Sequence, residues 1–188
     1  MKRASIIVLA IAIGITMTFG TAIAEPDMKL INFRANTTMA QMGHDKTIVK
    51  TVMAQNKKGM SLFDIQVTDG AWRGVKEGML PIMEELMSND CAKAAQALLE
   101  SQPYIMEIFV MDNQGANVCM TDKTGDYWQG DEGKFWNSYD GGTGSIFVDE
   151  IEMDDATRAN VAQISVPVIS KGVAIGAMTI GVYVDYIK

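Results

Sequence analysis

Residues 104–121 read YIMEIFVMDNQGANVCMT, and this stretch decides the fold. Its two ends, Tyr104 to Met111 and Ala116 to Thr121, are rich in aromatic and β-branched residues, which favour strands. Between them lies a polar turn, Asp112 to Gly115, with glycine where the backbone needs a positive φ. The pattern predicts a β-hairpin.

Three further strands are predicted after this hairpin. They cover Ser145 to Met153, Arg158 to Ser170 and Val173 to Asp185, and Lys171-Gly172 forms the turn between the last two. Short links join about five consecutive strands, which favours a mostly antiparallel sheet.

Helical patterns dominate the chain before Pro103. Residues 28–58 carry apolar side chains at steps of three and four, which predicts one long helix that Gly59 ends. Residues 61–88 are less regular: a short helix follows Ser61, and Gly70, Gly74, Gly78 and Pro81 interrupt the chain. The three glycines also resemble a helix-contact pattern. A clearer helix is predicted over Cys91 to Ser101. Helices followed by strands indicate an α+β fold.

The first 24 residues have the features of a secretory signal peptide. Lys2 and Arg3 precede an apolar run, and Ala22-Ile23-Ala24 fits a cleavage site. The sequence therefore predicts removal of residues 1–24, a single domain over 25–188, and a periplasmic or secreted location. Loss of the two basic residues changes the net charge from −7 to −9, which disfavours nucleic acid as a partner.

Three segments resemble the Cache family, also called PDC, of PAS-like extracytoplasmic sensor domains. They are Ile108 to Gly115, Gly125 to Phe135, and the closing strand pair with Ile164 to Val168 and Gly176 to Val182. The resemblance implies a five-stranded antiparallel sheet with helices packed on it, a long N-terminal helix among them. It also implies a small-ligand pocket beneath the connection between the second and third strands.

Members of this family usually serve chemoreceptors and histidine kinases. The resemblance here is to a stand-alone, secreted member, since the sequence carries no recognisable kinase or methyl-accepting region. We therefore expect a sensor or accessory protein that binds a small organic molecule and relays its occupancy to a membrane receptor or kinase. The alternative is an interaction or structural module of the same fold without a ligand.

Residues 122–139 concentrate aromatic and charged side chains, which makes them the predicted cover of the pocket. Aromatic faces would enclose a small organic ligand and carboxylates would meet an ammonium or hydroxyl group on it, so the candidate ligands include amines and amino acids. Trp128 and Asp131 would share one face of a helical turn. The alternative is a loop whose rings only cover the sheet. The predicted ligand-binding residues are Tyr127, Trp128, Asp131, Lys134 and Trp136.

The sequence shows no motif for catalysis, cofactor binding or metal binding. The chain has one histidine, His44, and no Ser-His-Asp set, HExxH motif, phosphate loop or dinucleotide fingerprint. We therefore expect no enzyme activity, no catalytic residue and no cofactor. The pair Asp131 and Glu132 lacks the spacing of a calcium loop, so no metal is expected either.

Two features leave alternatives open. Cys91 and Cys119 are the only cysteines, and an exported chain permits a disulfide between them, although two buried free thiols are slightly favoured. The apolar stripe of residues 28–58 could support a homodimer. Burial of that helix against its own sheet would explain the same stripe.

Overall fold

Except for one short helix between the second and third strands, the helices precede the strands in the computed structural model, which describes residues 27–155 and 157–188. The predicted signal peptide, residues 1–24, lies outside the described residues. The helices are α1 (Met28–Arg34), a π-helical segment (Ala35–Met39), α2 (Ala40–Met42), α3 (Lys46–Lys58), α4 (Leu62–Arg73), α5 (Pro81–Ser88), α6 (Asp90–Glu100) and α7 (Gly133–Tyr139). The strands are β1 (Ile105–Met111), β2 (Asn117–Met120), β3 (Phe147–Val148), β4 (Glu152–Met153), β5 (Asn160–Ser170) and β6 (Val173–Tyr183).

All pairings in the sheet are antiparallel, in the order β2-β1-β6-β5-β3, and β4 also pairs with β5. The predicted fold class is confirmed. At the turn between β1 and β2, Asp112 Oδ1 accepts hydrogen bonds from the backbone N–H groups of Gln114 at 2.8 Å and Ala116 at 3.0 Å. Gly115 completes this turn with φ of +84°.

The predicted strand over Ser145 to Met153 is wrong in one respect, because the structure divides it into β3 and β4. Val148 lies opposite Ile164 and Glu152 lies opposite Val161. Three residues, 149–151, therefore separate the two pairs between β3 and β4, whereas only two residues, 162 and 163, separate them on β5. The additional residue is a bulge, which interrupts the ladder at residues 149–151.

The prediction of one helix over residues 28–58 is also wrong, since the chain bends after α2. A Cβ atom at Gly43 would stand 2.2 Å from the carbonyl oxygen of Pro167 on β5. The Gly43 carbonyl accepts a hydrogen bond from Ile169 N at 3.0 Å. Asp45 then caps α3 by accepting from Thr47 N and Ile48 N. The helix is thus broken where its backbone meets the sheet.

The helix after Ser61 is longer than predicted. Ser61 Oγ accepts a hydrogen bond from Asp64 N, and α4 then continues through Gly70 to Arg73. Gly70 is absent from the residues with positive φ, so it keeps the helical backbone. The predicted interruption at Gly70 is therefore wrong.

Each face of the sheet has its own hydrophobic core. Most of the apolar stripe of α1–α3, including Ile31, Met39 and Val52, is buried in the first core, whereas Met53 is 48% exposed. The expected alternative, burial of the stripe against the chain's own sheet, is therefore what the structure shows. The second core, around Trp72 and Phe109, lies under α4, α5 and residues 116–135.

A disulfide joins Cys91 of α6 to Cys119 of β2, with 5.7 Å between their Cα atoms. The slightly favoured alternative of two free thiols is wrong, because α6 packs directly on β1 and β2. Among the described residues, no helix has both the length and the apolar character to cross a membrane.

Candidate functional site

An acidic groove lies on the face of the sheet that α7 covers. Alternation along β1 places Glu107 and Phe109 on this face, whereas Ile108 and Val110 enter the first core on the other face. The groove has a volume of about 390 Å³ and continues into a recess of about 290 Å³. Glu107, Glu132, Lys134 and Gln163 line both.

The floor of the groove is built from three neighbouring strands. Gln163 Nε2 of β5 donates a hydrogen bond to Glu107 Oε1 of β1 at 3.2 Å. Gly181 of β6 lies beneath this pair, and a Cβ atom there would stand 2.5 Å from Glu107 Cγ. The missing side chain at 181 therefore leaves the space that the Glu107 side chain occupies.

Lys134 and Glu132 form one wall. Lys134 Nζ lies 2.8 Å from Glu132 Oε2 and 5.4 Å from the centre of the Phe109 ring. The side chain of Lys134 is only 14% exposed, so the ion pair and the ring hold its ammonium in a mostly buried position. One carboxylate of the wall is thus already neutralised.

Asp126 and Gln129 define the recess. Gln129 Nε2 donates to the Asp126 carboxylate and, at 3.3 Å, to the Asp126 backbone carbonyl. Gln129 is 2% exposed, and its Oε1 has no hydrogen-bond partner among the described residues. Burial, followed by the neighbouring charges of Glu132 and Asp69, raises the pKa of the Asp126 carboxyl above its ordinary value. The recess therefore offers acceptors that a donor-rich cation would satisfy.

Negative charge dominates the lining. Among the described residues, the groove and recess together have six carboxylates and two lysines. The carboxylates belong to Glu107, Asp126, Glu132, Asp149, Glu150 and Glu152, and the lysines are Lys123 and Lys134. Such an excess attracts organic cations and repels anions. Within residues 27–155 and 157–188, no group of three His, Cys, Asp or Glu side chains could hold a metal ion.

Of the five sequence-predicted site residues, only Lys134 lines the groove or its recess. Tyr127 is 2% exposed and packs against Trp72, with 5.7 Å between ring centres. Trp128 Nε1 donates to the Gln114 carbonyl at 2.8 Å. Asp131 and Trp136 are exposed. The groove thus gathers only one of the predicted set.

The predicted helical turn through 128–131 is wrong for a local reason. Trp128 forms a β-bridge with Ala116, and a turn follows it at 130–131. The helix α7 begins only after this turn, at Gly133. Trp128 and Asp131 therefore do not share a helical face.

Asp69 of α4 positions the segment that carries Tyr127 and Trp128. Its Oδ1 accepts from Tyr127 N at 2.9 Å and from Trp128 N at 3.1 Å. Its Oδ2 lies 2.9 Å from Arg73 Nη2, while Asp69 itself is only 4% exposed. This carboxylate fixes the start of the connection that leads into the wall of the groove.

The sequence analysis did not identify Asp69, Glu107 or Gln163. It also did not identify the two carboxylates of the bulge, Asp149 and Glu150. The signal that could have identified Asp69 and Glu107 is a polar residue at a position where the helix or strand pattern expects an apolar one. Asp69 follows Ile65 at the helical step, and Glu107 interrupts an otherwise apolar strand. A polar side chain at such a position needs a partner, and the structure supplies one for each.

Comparisons with known proteins return solved structures only. No family model matches the chain, and no curated protein matches it. A sensor domain of the Vibrio cholerae histidine kinase DctB aligns with 9% identity and a TM-score of 0.41, covering 85% of this chain and 52% of that chain. The ligand-binding domain of the Pseudomonas aeruginosa amino acid chemoreceptor PctC, in complex with GABA, aligns with 10% identity and a TM-score of 0.41, covering 81% and 58%.

The sensory domain of the Campylobacter jejuni chemoreceptor Tlp3, with isoleucine bound, aligns with 13% identity and a TM-score of 0.37, covering 82% of this chain and 61% of that chain. The chain thus spans about half to three-fifths of the length of the structures it matches. These structural neighbours are sensor and ligand-binding domains of histidine kinases and chemoreceptors.

Proposed function

We propose that this protein is an exported sensor or accessory protein that binds a small organic molecule with an ammonium group, an amine or an amino acid, in the acidic groove. The observation that carries the proposal is the excess of six carboxylates over two lysines around a cavity of about 390 Å³ and its recess. Binding in such a cavity requires no bond-breaking chemistry, so we expect no turnover of the ligand.

The recess supplies the most specific contacts for an ammonium group. Asp126 offers a carboxylate, and Gln129 Oε1 is a buried acceptor without a partner among the described residues. An ammonium has three donors and no acceptor, so it suits the Asp126 carboxylate. A carboxylate ligand would instead meet Glu107, Asp126 and Glu132 with the same sign of charge.

A thermal-shift screen with purified protein tests this proposal. Amines and amino acids are compared with matched compounds in which the amine is replaced by a hydroxyl or a carboxylate. A ligand at a hundred times its dissociation constant adds about 2.7 kcal/mol to the unfolding free energy, which is a clear shift for a domain of this size. A response only to compounds that carry the ammonium group supports the proposal. A flat response would favour the interaction module without a ligand.

We further propose that occupancy reaches a membrane receptor or kinase through α3. Gln55 Nε2 donates to Asp112 Oδ2 and to the Asn117 carbonyl, each at 3.2 Å. Asn56 Nδ2 donates to the Ile175 carbonyl at 2.7 Å. These bonds tie α3 to both hairpins of the sheet that carries the groove. The outward face of α3 presents four exposed lysines, Lys46, Lys50, Lys57 and Lys58.

Amide hydrogen exchange tests this relay. The proposal expects a ligand in the groove to change exchange in α3, although α3 does not contact the groove. If protection changes only at residues lining the groove, the relay through α3 is contradicted while binding itself stands.

A further inference from the structure

The outward face of α3 carries lysines in line with an exposed methionine. Lys46, Lys50, Met53 and Lys57 follow one another at steps of four, three and four residues, so they lie in one row along the helix. All four side chains are exposed. We call these four residues the lysine row.

The lysine row borders a shallow hollow of about 430 Å³. Val49, Met53 and Ala54 line it together with the three lysines of the row. Its surface is nevertheless almost wholly apolar, so the lysines contribute their carbon stems to the hollow and hold their ammonium groups at its rim. The surface therefore combines an apolar centre with a positively charged border.

No acidic side chain of α3 balances this charge. The helix contains four lysines and neither aspartate nor glutamate, although the whole chain has 23 acidic and 16 basic residues. In residues 27–155 and 157–188, the ion pairs involve Arg73, Lys93 and Lys134, and none of the lysines of the row. The charge of the row is therefore available to a partner.

Two acidic residues lie next to the row, and both have other contacts. Asp45 accepts hydrogen bonds from the backbone N–H groups of Thr47 and Ile48 as the cap of α3. Asp90 of α6 lies 3.4 Å from Lys93 Nζ. Lys93 thus adds a further positive charge on the side of α6 and offsets that of Asp90.

The single chain gains little from two of the lysines. Lys46 is the first residue of α3, where the positive end of the helix dipole disfavours a cation. Lys50 follows one turn later, and like charges four residues apart repel each other. Lys57 differs, because a cation near the C-terminus of a helix is favourable. An anionic partner would relieve the repulsion at Lys46 and Lys50.

We propose that the lysine row binds an acidic amphipathic helix of a partner protein. This inference rests on the relay proposed through α3 and gives the chemistry of the partner that the relay would reach. Lys46 and Lys57 are separated by about 16 Å along the helix axis, so about three turns of a partner helix cover the row. Carboxylates on either side of an apolar side chain would meet the lysines while that side chain enters the hollow.

A narrow acidic helix suits the lysine row better than an anionic bilayer does. The chain has a net charge of −7, so an extended anionic surface would repel most of the protein. A single helix contacts only the row and its hollow. Its carboxylates would be repelled by the acidic groove, so the two sites do not compete for one ligand.

Fluorescence anisotropy with a labelled synthetic peptide tests the proposal. The peptide has about 18 residues, long enough to form a helix, and carries glutamates on either side of a leucine on one face. A scrambled peptide of the same composition keeps the charge and loses that face. We expect the first peptide to bind at least about tenfold more tightly than the second. Its affinity should fall as the salt concentration rises, because exposed charges are screened.

Matched variants locate the bound peptide. Lys50→Glu should weaken binding at least about tenfold, because it reverses a charge in the centre of the row. Met53→Gln should weaken it as well, since it removes the apolar side chain from the hollow. Lys76→Glu, at an exposed position after α4, makes the same change of charge outside the row and should alter affinity less than about twofold.

Four results would overturn the proposal. They are no binding of the amphipathic peptide at about 1 mM, equal affinity for the scrambled peptide, unchanged affinity in Lys50→Glu, and binding of phosphatidylglycerol vesicles in place of the peptide. The assay contains no ligand for the groove. Failure here would therefore leave binding in the groove intact, and a groove that binds nothing would leave this docking surface intact.

Discussion

Glu107 occupies the space above Gly181, so that a Cβ atom at position 181 would stand 2.5 Å from Glu107 Cγ and 2.8 Å from Glu107 Oε1. A carboxylate on the central part of the sheet therefore depends on a glycine in the neighbouring strand. The hydrogen bond from Gln163 Nε2 fixes the same carboxylate from the other side.

Gly181→Ala should displace the Glu107 side chain. Overpacking of this kind costs about 1–3 kcal/mol of unfolding free energy. If Glu107 contributes to the site, affinity for the ligand falls as well, by about tenfold. Thermal unfolding and calorimetric titration measure the two effects. Gly70→Ala, at a position of α4 with ordinary φ where an added Cβ meets nothing within 4 Å, is the control for a general effect of alanine on stability and binding.

Asp69→Ala should destabilise the protein by about 1–3 kcal/mol, because it leaves the buried N–H of Tyr127 and that of Trp128 without their acceptor. Chemical denaturation gives the unfolding free energy. Gln66→Ala, at an exposed position of the same helix, should change it by no more than about 0.5 kcal/mol. Equal effects of the two substitutions would show that Asp69 does not hold the connection.

Removal of the disulfide should lower stability further. Cys91 and Cys119 are 28 residues apart, and closure of a loop of this length stabilises a protein by about 3–4 kcal/mol. The double variant Cys91→Ala/Cys119→Ala should melt well below the oxidised protein. A melting temperature that is the same for both, with and without reductant, would contradict a structural role of the bond.

The affinity for a cation should fall as the pH falls. The pKa of Asp126 is raised, mainly by burial, so this carboxyl takes up a proton above the pH at which an ordinary aspartate does. Protonation removes the charge that pairs with the ligand. The dissociation constant should therefore rise as the pH falls from neutrality, and Asp126→Asn should flatten this dependence. An unchanged profile in the variant would assign the dependence to another carboxylate.

The same raised pKa affects the stability of the free protein in the opposite direction. Between the ordinary pKa of an aspartate and the raised value, the folded state binds more protons than the unfolded state. The contribution of Asp126 to stability therefore falls as the pH rises through this interval. Urea unfolding of wild type and Asp126→Asn at several pH values would reveal the difference.

The predicted signal peptide gives a simple mass measurement. Cleavage after Ala24 would yield a protein that begins at Glu25. The intact mass of protein recovered from the exporting cell should lack residues 1–24. A mass that includes Met1 to Ala24 would instead indicate an uncleaved anchor.

Local signals in the sequence were sufficient for most of the fold. The turn from Asp112 to Gly115 and the turn at Lys171-Gly172 predicted both hairpins, because turn chemistry is written in adjacent residues. The helix break at Gly43 was not predictable, since its cause is the distant Pro167 on β5. Periodicity alone cannot register such a contact.

The site was harder to predict for the same reason. Aromatic density identified the 122–139 connection, yet Tyr127 and Trp128 serve to anchor it, through Trp72, Asp69 and Gln114. The carboxylates of the groove and its recess come from β1, the bulge between β3 and β4, β4 itself, and the connection. These carboxylates lie close together only because of the order of the strands in the sheet. No short sequence motif indicates that order.

Calorimetric titration of matched variants tests whether the ligand binds in the recess beside Asp126. The cation found by the screen is titrated into wild type, Asp126→Asn and Asp131→Asn, which remove one carboxylate inside the groove and one exposed carboxylate outside it. We expect Asp126→Asn to weaken binding at least about tenfold and Asp131→Asn to change it less than about twofold. Loss of affinity in Asp131→Asn with normal affinity in Asp126→Asn would contradict binding in the recess and place the ligand at the exposed turn.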